Sequence, residues 1–80
     1  MADRNLQRVF GETVRQLRQE HGISQEDLAD RAGLHRTYIS LLERGLRNPS
    51  LTVISQLAAA LDTTAAKLVA ASERRHGAPR

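Results

Sequence analysis

Residues 24–51 read SQEDLADRAGLHRTYISLLERGLRNPSL and contain two short apolar patterns of helical spacing, separated by a glycine. Ser24 is suited to cap the start of a helix over about 25–31. Gly33 supplies the left-handed conformation that a tight turn requires, and a second helix follows over about 35–44. Two short helices joined by a glycine turn predict a helix-turn-helix unit.

The second of these helices separates an apolar face from a polar one. At about 100° per residue, Ile39 and Leu42 share one face. The opposite face begins with Arg36 and Thr37 and continues through Ser40. An arginine can donate two hydrogen bonds to a guanine in the major groove, and a threonine offers a hydroxyl and a methyl group. The polar face is therefore suited to reading base edges.

The flanking sequence predicts three more helices. A first helix is predicted before Gly22, because apolar residues recur there at helical spacing, at Leu6, Phe10, Val14 and Leu17. The two helices of the helix-turn-helix are then the second and the third. Ser50 can cap a fourth helix that reaches about residue 61, and Thr64 can cap a fifth over about 65–72. No alternating strand pattern is present in the sequence. We therefore expect one compact all-α domain of five helices over 1–72, followed by a basic, disordered tail over 73–80.

Composition excludes several classes of function. The 80 residues include no cysteine, three histidines without metal-ligand spacing and no plausible set of nucleophile, base and acid, so we expect neither an enzyme nor a metal or other cofactor. No apolar run approaches the roughly 20 residues that span a bilayer, and a cytoplasmic location is expected. At this length we expect neither a ligand-sensing domain nor a small-molecule ligand. The net charge of +3, with its positive excess beginning in 33–50, favours a polyanionic partner.

Residues 24–51 resemble the phage-repressor and Cro-like helix-turn-helix family, whose fold is that of lambda repressor. They are especially similar to the controller proteins of restriction–modification systems, which carry a run similar to RTYIS at 36–40. The resemblance extends over about residues 6–70. It implies that the third helix enters the major groove of double-stranded DNA. Base contacts are implied for Arg36, Thr37 and Ser40, and backbone contacts for Gln25, Tyr38, Arg47 and Asn48.

The same resemblance implies an ion pair and a dimer interface. In repressor-like relatives, an arginine seven residues before the glutamine that begins the second of the five helices (Gln25 here) pairs with a glutamate near the end of the third helix. These residues are Arg18 and Glu43 in this sequence. A homodimer is expected because operators of the family are usually two-fold, and apolar Leu68 and Val69 of helix five are its expected interface. Asp62 stands where the family commonly has a glycine.

Three functions fit this pattern. The first is a sequence-specific transcriptional regulator that binds a pseudo-palindromic operator as a homodimer and regulates its own gene. The second is the antitoxin of a toxin–antitoxin pair, against which the short tail argues weakly. The third is a protein-interaction module that uses the same fold without reading DNA, against which Arg36 and Thr37 on the outer face argue.

Overall fold

The computed structural model describes residues 4–77, and five α-helices account for most of that range. They are α1 (Arg4–Glu20), α2 (Gln25–Ala32), α3 (Arg36–Glu43), α4 (Leu51–Ala60) and α5 (Ala65–His76). No strand occurs in this part of the chain. The all-α class and the order of five helices predicted from the sequence are confirmed.

Side-chain caps fix where three of the helices begin. At α2, the Ser24 hydroxyl accepts a hydrogen bond of 3.0 Å from the backbone N–H of Asp27, and the Asp27 carboxylate accepts one of 3.2 Å from the Ser24 N–H. Ser50 and Thr64 cap α4 and α5 in the simpler form, with the hydroxyl alone. These hydroxyls satisfy backbone N–H groups that have no partner within the helix.

Helices α1 to α4 end in the same kind of turn, with one residue in the left-handed conformation at Gly22, Gly33, Gly45 and Asp62. The next residue donates its N–H five positions back, as from Thr63 to the Ala58 carbonyl at 2.9 Å. Asp62 adopts φ of 56°, so the aspartate forms the turn that a glycine would otherwise provide. The connection between α4 and α5 is therefore kept despite the missing glycine.

The core lies where all five helices meet. Its fully enclosed members include Val14, Leu28, Ile39, Leu42, Leu57, Leu61 and Leu68. Leu68 is only 1% exposed, so the prediction that it forms a dimer interface is wrong. The reason is that α5 packs across α1 and α4 and turns Leu68 inward, which the apolar pattern of α5 alone does not determine. The neighbouring Val69 is half-buried and lines an apolar groove beside Pro49 and Ile54.

Helix α5 continues four residues beyond its predicted end at residue 72. Residues 73–76 are helical rather than disordered, while 78–80 lie outside the described residues. Arg74, Arg75 and His76 occupy the last turn, where cationic side chains interact favourably with the partial negative charge of the helix end. Ser72 is tolerated inside the helix because its buried hydroxyl donates to the Leu68 carbonyl at 3.0 Å.

No single helix of the described chain is long and apolar enough to cross a membrane; α4 and α5 reach the required length and composition only as a pair, across a bend of 98°.

Candidate nucleic-acid interface

The N-terminal ends of α2 and α3 lie side by side and enclose a shallow polar concavity. Its lining consists of Arg18, Ser24, Gln25, Glu26 and Arg36. Arg36 is the first residue of α3, it is exposed, and within residues 4–77 its side chain has no hydrogen bond or ion pair. The guanidinium is therefore free to donate to a ligand in front of the helix.

The remaining residues predicted on α3 differ in exposure. Thr37 is exposed beside Arg36, whereas Ser40 is half-buried. Tyr38 is half-buried and packs against the edge of the core, so part of its ring supports the fold and the rest reaches the surface. His35, at the N-cap position of α3, makes no side-chain cap bond. The first turn of α3 thus offers uncapped N–H groups together with two exposed polar side chains.

A second group of predicted residues lies in the loop after α3. Arg47 and Asn48 are both exposed and follow the left-handed turn at Gly45. Gln7 of α1 donates a hydrogen bond of 2.9 Å from its Nε2 to the Gly45 carbonyl. A Cβ at Gly45 would lie 2.8 Å from the Arg8 Cα, so the loop is held close against α1. Sequence reasoning missed Gln7, because its spacing marks it only as a polar residue of the first helix.

Helix α1 also contacts the end of α3 directly through Gly11. A Cβ on Gly11 would lie 2.2 Å from the carbonyl oxygen of Leu42, so no larger residue fits between the two helices. Helix α3 is thus held at its C-terminal end by the backbone of α1. This leaves its N-terminal end, with Arg36 and Thr37, projecting toward solvent.

The structure contains the Arg18–Glu43 ion pair, and the pair is bidentate. Arg18 Nε lies 2.7 Å from Glu43 Oε2, and Arg18 Nη2 lies 3.0 Å from Glu43 Oε1. Arg18 Nη1 donates to the carbonyl of Ile23 at 2.9 Å. The Glu43 side chain is 2% exposed and that of Arg18 is 12% exposed, so the pair is largely removed from water.

The environment of the pair keeps Arg18 charged. Its pKa is raised above the ordinary value, chiefly by the hydrogen bond to Glu43 and further by the negative charge of that carboxylate, while burial acts in the opposite direction. Glu43 is the one acidic residue on α3 and in its following loop, and Arg18 compensates its charge inside the protein. The exposed charges of this segment are therefore the three arginines Arg36, Arg44 and Arg47.

Gln25 belongs to the same network, which sequence reasoning did not predict. Its Nε2 donates a hydrogen bond of 3.1 Å to Glu43 Oε1, and the residue is half-buried. One of its two amide N–H groups is thus used inside the protein, and the other remains for a ligand in the concavity. The predicted backbone ligand is therefore also a contact between α2 and α3.

The exposed polar residues of this surface lie at the two ends of α3. Arg36 begins the helix and lines the concavity with Gln25, the first residue of α2. Arg47 and Asn48 follow the end of α3, about 12 Å along the axis of an eight-residue helix. Such a surface suits the phosphates and base edges of a groove.

Among the described residues, no three His, Cys, Asp or Glu side chains are placed to hold a metal ion.

Comparisons of sequence and of structure with known proteins agree on a helix-turn-helix relationship. A family model described as helix-turn-helix matches residues 14–68. Control protein C.SmaI of Serratia marcescens is 43% identical over 65 residues, which cover 81% of this chain and 77% of that protein. The controller protein C.AhdI of Aeromonas hydrophila superposes with a TM-score of 0.74 at 48% identity, over 76% of this chain and 92% of the other. The controller protein C.Esp1396I, solved as a tetramer with its natural 35 base-pair operator, superposes with a TM-score of 0.81 at 28% identity, over 89% of this chain and 93% of the other.

Proposed function

This chain belongs to the helix-turn-helix family of DNA-binding transcriptional regulators, and we propose that it is a controller protein that regulates its own gene. It binds a pseudo-palindromic operator as a homodimer, with one α3 helix in each of two successive major grooves. The similarity to C.SmaI and C.AhdI favours this role over an antitoxin, since both relatives are control proteins.

The observation that carries the proposal is the state of the first turn of α3. Arg36 and Thr37 are exposed at an N-terminus without a side-chain cap, and Arg36 lines the same concavity as Gln25. The rest of the helix is at least partly buried against α1 and the core. An arginine without an internal partner keeps all of its donors for the O6 and N7 atoms of guanine. We assign base contacts to Arg36, Thr37 and the partly exposed Ser40.

Backbone contacts are assigned to residues on either side of α3. Gln25 has one amide N–H available, and the exposed Arg47 and Asn48 follow the helix. Tyr38 can reach a phosphate with its hydroxyl because its ring already rests on the core edge. These groups would hold the protein on the duplex without distinguishing sequences.

The homodimer needs a surface other than Leu68. We propose the groove that Val69 lines with Phe10, Pro49 and Ile54. Leu51, two residues after Pro49 in the chain and 82% exposed at the start of α4, would extend this patch. A two-fold contact uses the same patch on both subunits, so an exposed apolar side chain beside an apolar groove suits it. Asn48, to which we assign a DNA backbone contact, also lines this groove. A two-fold contact through the groove would therefore place both α3 helices on one side of the duplex.

Selection of bound sites from a random DNA pool tests the proposal. We expect an enriched pseudo-palindrome whose half-sites are about 10 base pairs apart, and the same site in the promoter of the protein's own gene. Sedimentation of the complex should give two chains, or a multiple of two, per operator. Recovery of no enriched sequence would reject sequence-specific regulation and favour an interaction module. An enriched site bound by a single chain would reject the dimer alone.

A further inference from the structure

From the hydrogen bond between Gln25 and Glu43 we infer that Glu43 is a positioning residue for DNA binding, in addition to stabilising the fold. It fixes the amide of Gln25 so that an N–H group faces the DNA backbone. This inference rests on the proposed function, because it concerns how the same surface holds a phosphate.

The chemistry of the carboxylate determines the orientation of the amide. A glutamine side chain has two nearly isosteric orientations, which exchange its oxygen and its NH2 group. An ionised carboxylate only accepts hydrogen bonds, so Glu43 selects the orientation in which Nε2 faces inward. Glu43 Oε1 takes one N–H of Gln25 at 3.1 Å. The second N–H, which a phosphate oxygen would accept, is then held in a fixed direction because the amide group is planar.

The ion pair keeps Glu43 itself in place. Both of its oxygens accept from Arg18, at 2.7 and 3.0 Å, and its side chain is 2% exposed. The chain of contacts therefore runs from α1 through the end of α3 to the first residue of α2. Gln25 also lines the same concavity as Arg36. An amide held in this manner loses little conformational freedom when it meets a phosphate.

A Glu43→Gln substitution separates positioning from simple electrostatics, since the two predict opposite signs. Removing a negative charge near DNA should by itself strengthen binding. If Glu43 orients Gln25, the substitution frees the amide to turn its oxygen toward the phosphate. We then expect binding to weaken about fivefold on operator and on random duplexes alike, the equivalent of losing one hydrogen bond of about 1 kcal/mol.

A double-mutant cycle with Gln25→Ala isolates the coupling. Equilibrium dissociation constants are measured for the wild-type chain, each single variant and the double variant, under conditions where denaturant titration shows each chain folded. In the Gln25→Ala background, Glu43→Gln should leave the affinity unchanged or increase it. An equal loss in both backgrounds would mean that Glu43 acts only through the fold, and would overturn the inference.

The chain offers a matched control on α1. Gln16 Nε2 donates to Glu20 Oε2 at 3.1 Å, the same pair of groups at the same distance, but both residues are exposed. A double-mutant cycle of Gln16→Ala and Glu20→Gln should therefore show no coupling in DNA affinity.

If Glu43→Gln does not fold, Gln25→Ala is measured instead in the double variant Arg18→Met/Glu43→Leu, which also lacks the carboxylate. Gln25→Ala should then cost far less than in the wild-type chain, and an undiminished cost would overturn the inference.

Failure of this inference is distinguishable from failure of the proposed function. If the wild-type chain does not prefer any duplex sequence, the regulator itself is rejected. If it selects an operator but the cycle shows no coupling, only the positioning role of Glu43 is rejected.

Discussion

Replacing Arg18 by methionine should cost about 3–5 kcal/mol of folding stability, because it leaves a buried charge without its partner. The Glu43 carboxylate accepts three hydrogen bonds, two from Arg18 and one from Gln25. Only the bond from Gln25 would remain on a side chain that is 2% exposed. Small domains have total stabilities of roughly 5–15 kcal/mol, so this one variant should approach the limit of folding.

The opposite substitution should cost less. Glu43→Leu leaves Arg18 unpaired, but Arg18 is 12% exposed and keeps its bond to the Ile23 carbonyl. Its long apolar stem also allows the guanidinium to move toward water. The double variant Arg18→Met/Glu43→Leu should recover much of the loss, since a buried ion pair replaced by apolar groups of similar volume is often neutral.

Guanidinium titration followed by circular dichroism measures these differences. A loss of about 3–5 kcal/mol should lower the midpoint of Arg18→Met by about 1–2 M. The control is the exposed pair Arg8–Glu12, which has the same closest distance of 2.7 Å but is 57% and 42% exposed. Glu12→Gln should change stability by less than about 1 kcal/mol. A wild-type midpoint for Arg18→Met, or no recovery in the double variant, would refute the assumption of a buried pair.

Three further changes test other parts of the structure. Asp62→Gly should raise the free energy of unfolding by up to about 1 kcal/mol, since Asp62 occupies a left-handed conformation that glycine adopts without strain. Thermal melting measures the change, and a lower Tm for the variant would contradict the prediction. Gly11→Ala should destabilise by about 3 kcal/mol or more, because its Cβ would lie 2.2 Å from the Leu42 carbonyl oxygen; wild-type stability would disprove the close contact. The pKa of Asp27 is held below its ordinary value of 3.8, first by the backbone N–H of Ser24 and then by the Ser24 hydroxyl. The stability that Asp27 contributes is therefore present above pH 3.8 and is lost as the pH falls through the pKa of the folded state. NMR titration of Asp27 checks the sign, and a raised pKa would contradict it.

The sequence predicted the elements whose ends have local chemical causes. Ser24, Ser50 and Thr64 begin helices with their own hydroxyls, and Gly33 ends α2, so the information lies within a few residues. The helix-turn-helix and its exposed Arg36 followed from the same local patterns. Helical spacing was therefore sufficient for the architecture and for the outer face of α3.

Features that depend on packing could not be predicted in this way. The apolar residues of α5 are compatible with several rotations of the helix, and only its contacts with α1 and α4 show that Leu68 belongs to the core. The bond from Gln25 to Glu43 joins residues 18 positions apart, on different helices. Gln7 likewise contacts Gly45 across 38 positions. Such partners are chosen by the tertiary arrangement, which no local pattern encodes.

The central claim is that the first turn of α3 reads base edges, and Arg36→Ala tests it most directly. Affinities of the wild-type chain and of Arg36→Ala are measured on the selected operator and on a random duplex over a series of salt concentrations. Arg47→Ala serves as the comparison, and should weaken both duplexes similarly while reducing the salt slope by about 1 per lost phosphate contact. Arg36→Ala should cost about 1–3 kcal/mol per half-site on the operator and little on the random duplex. Equal losses on both duplexes, with a shallower salt slope, would show that Arg36 only holds the backbone and would contradict the claim.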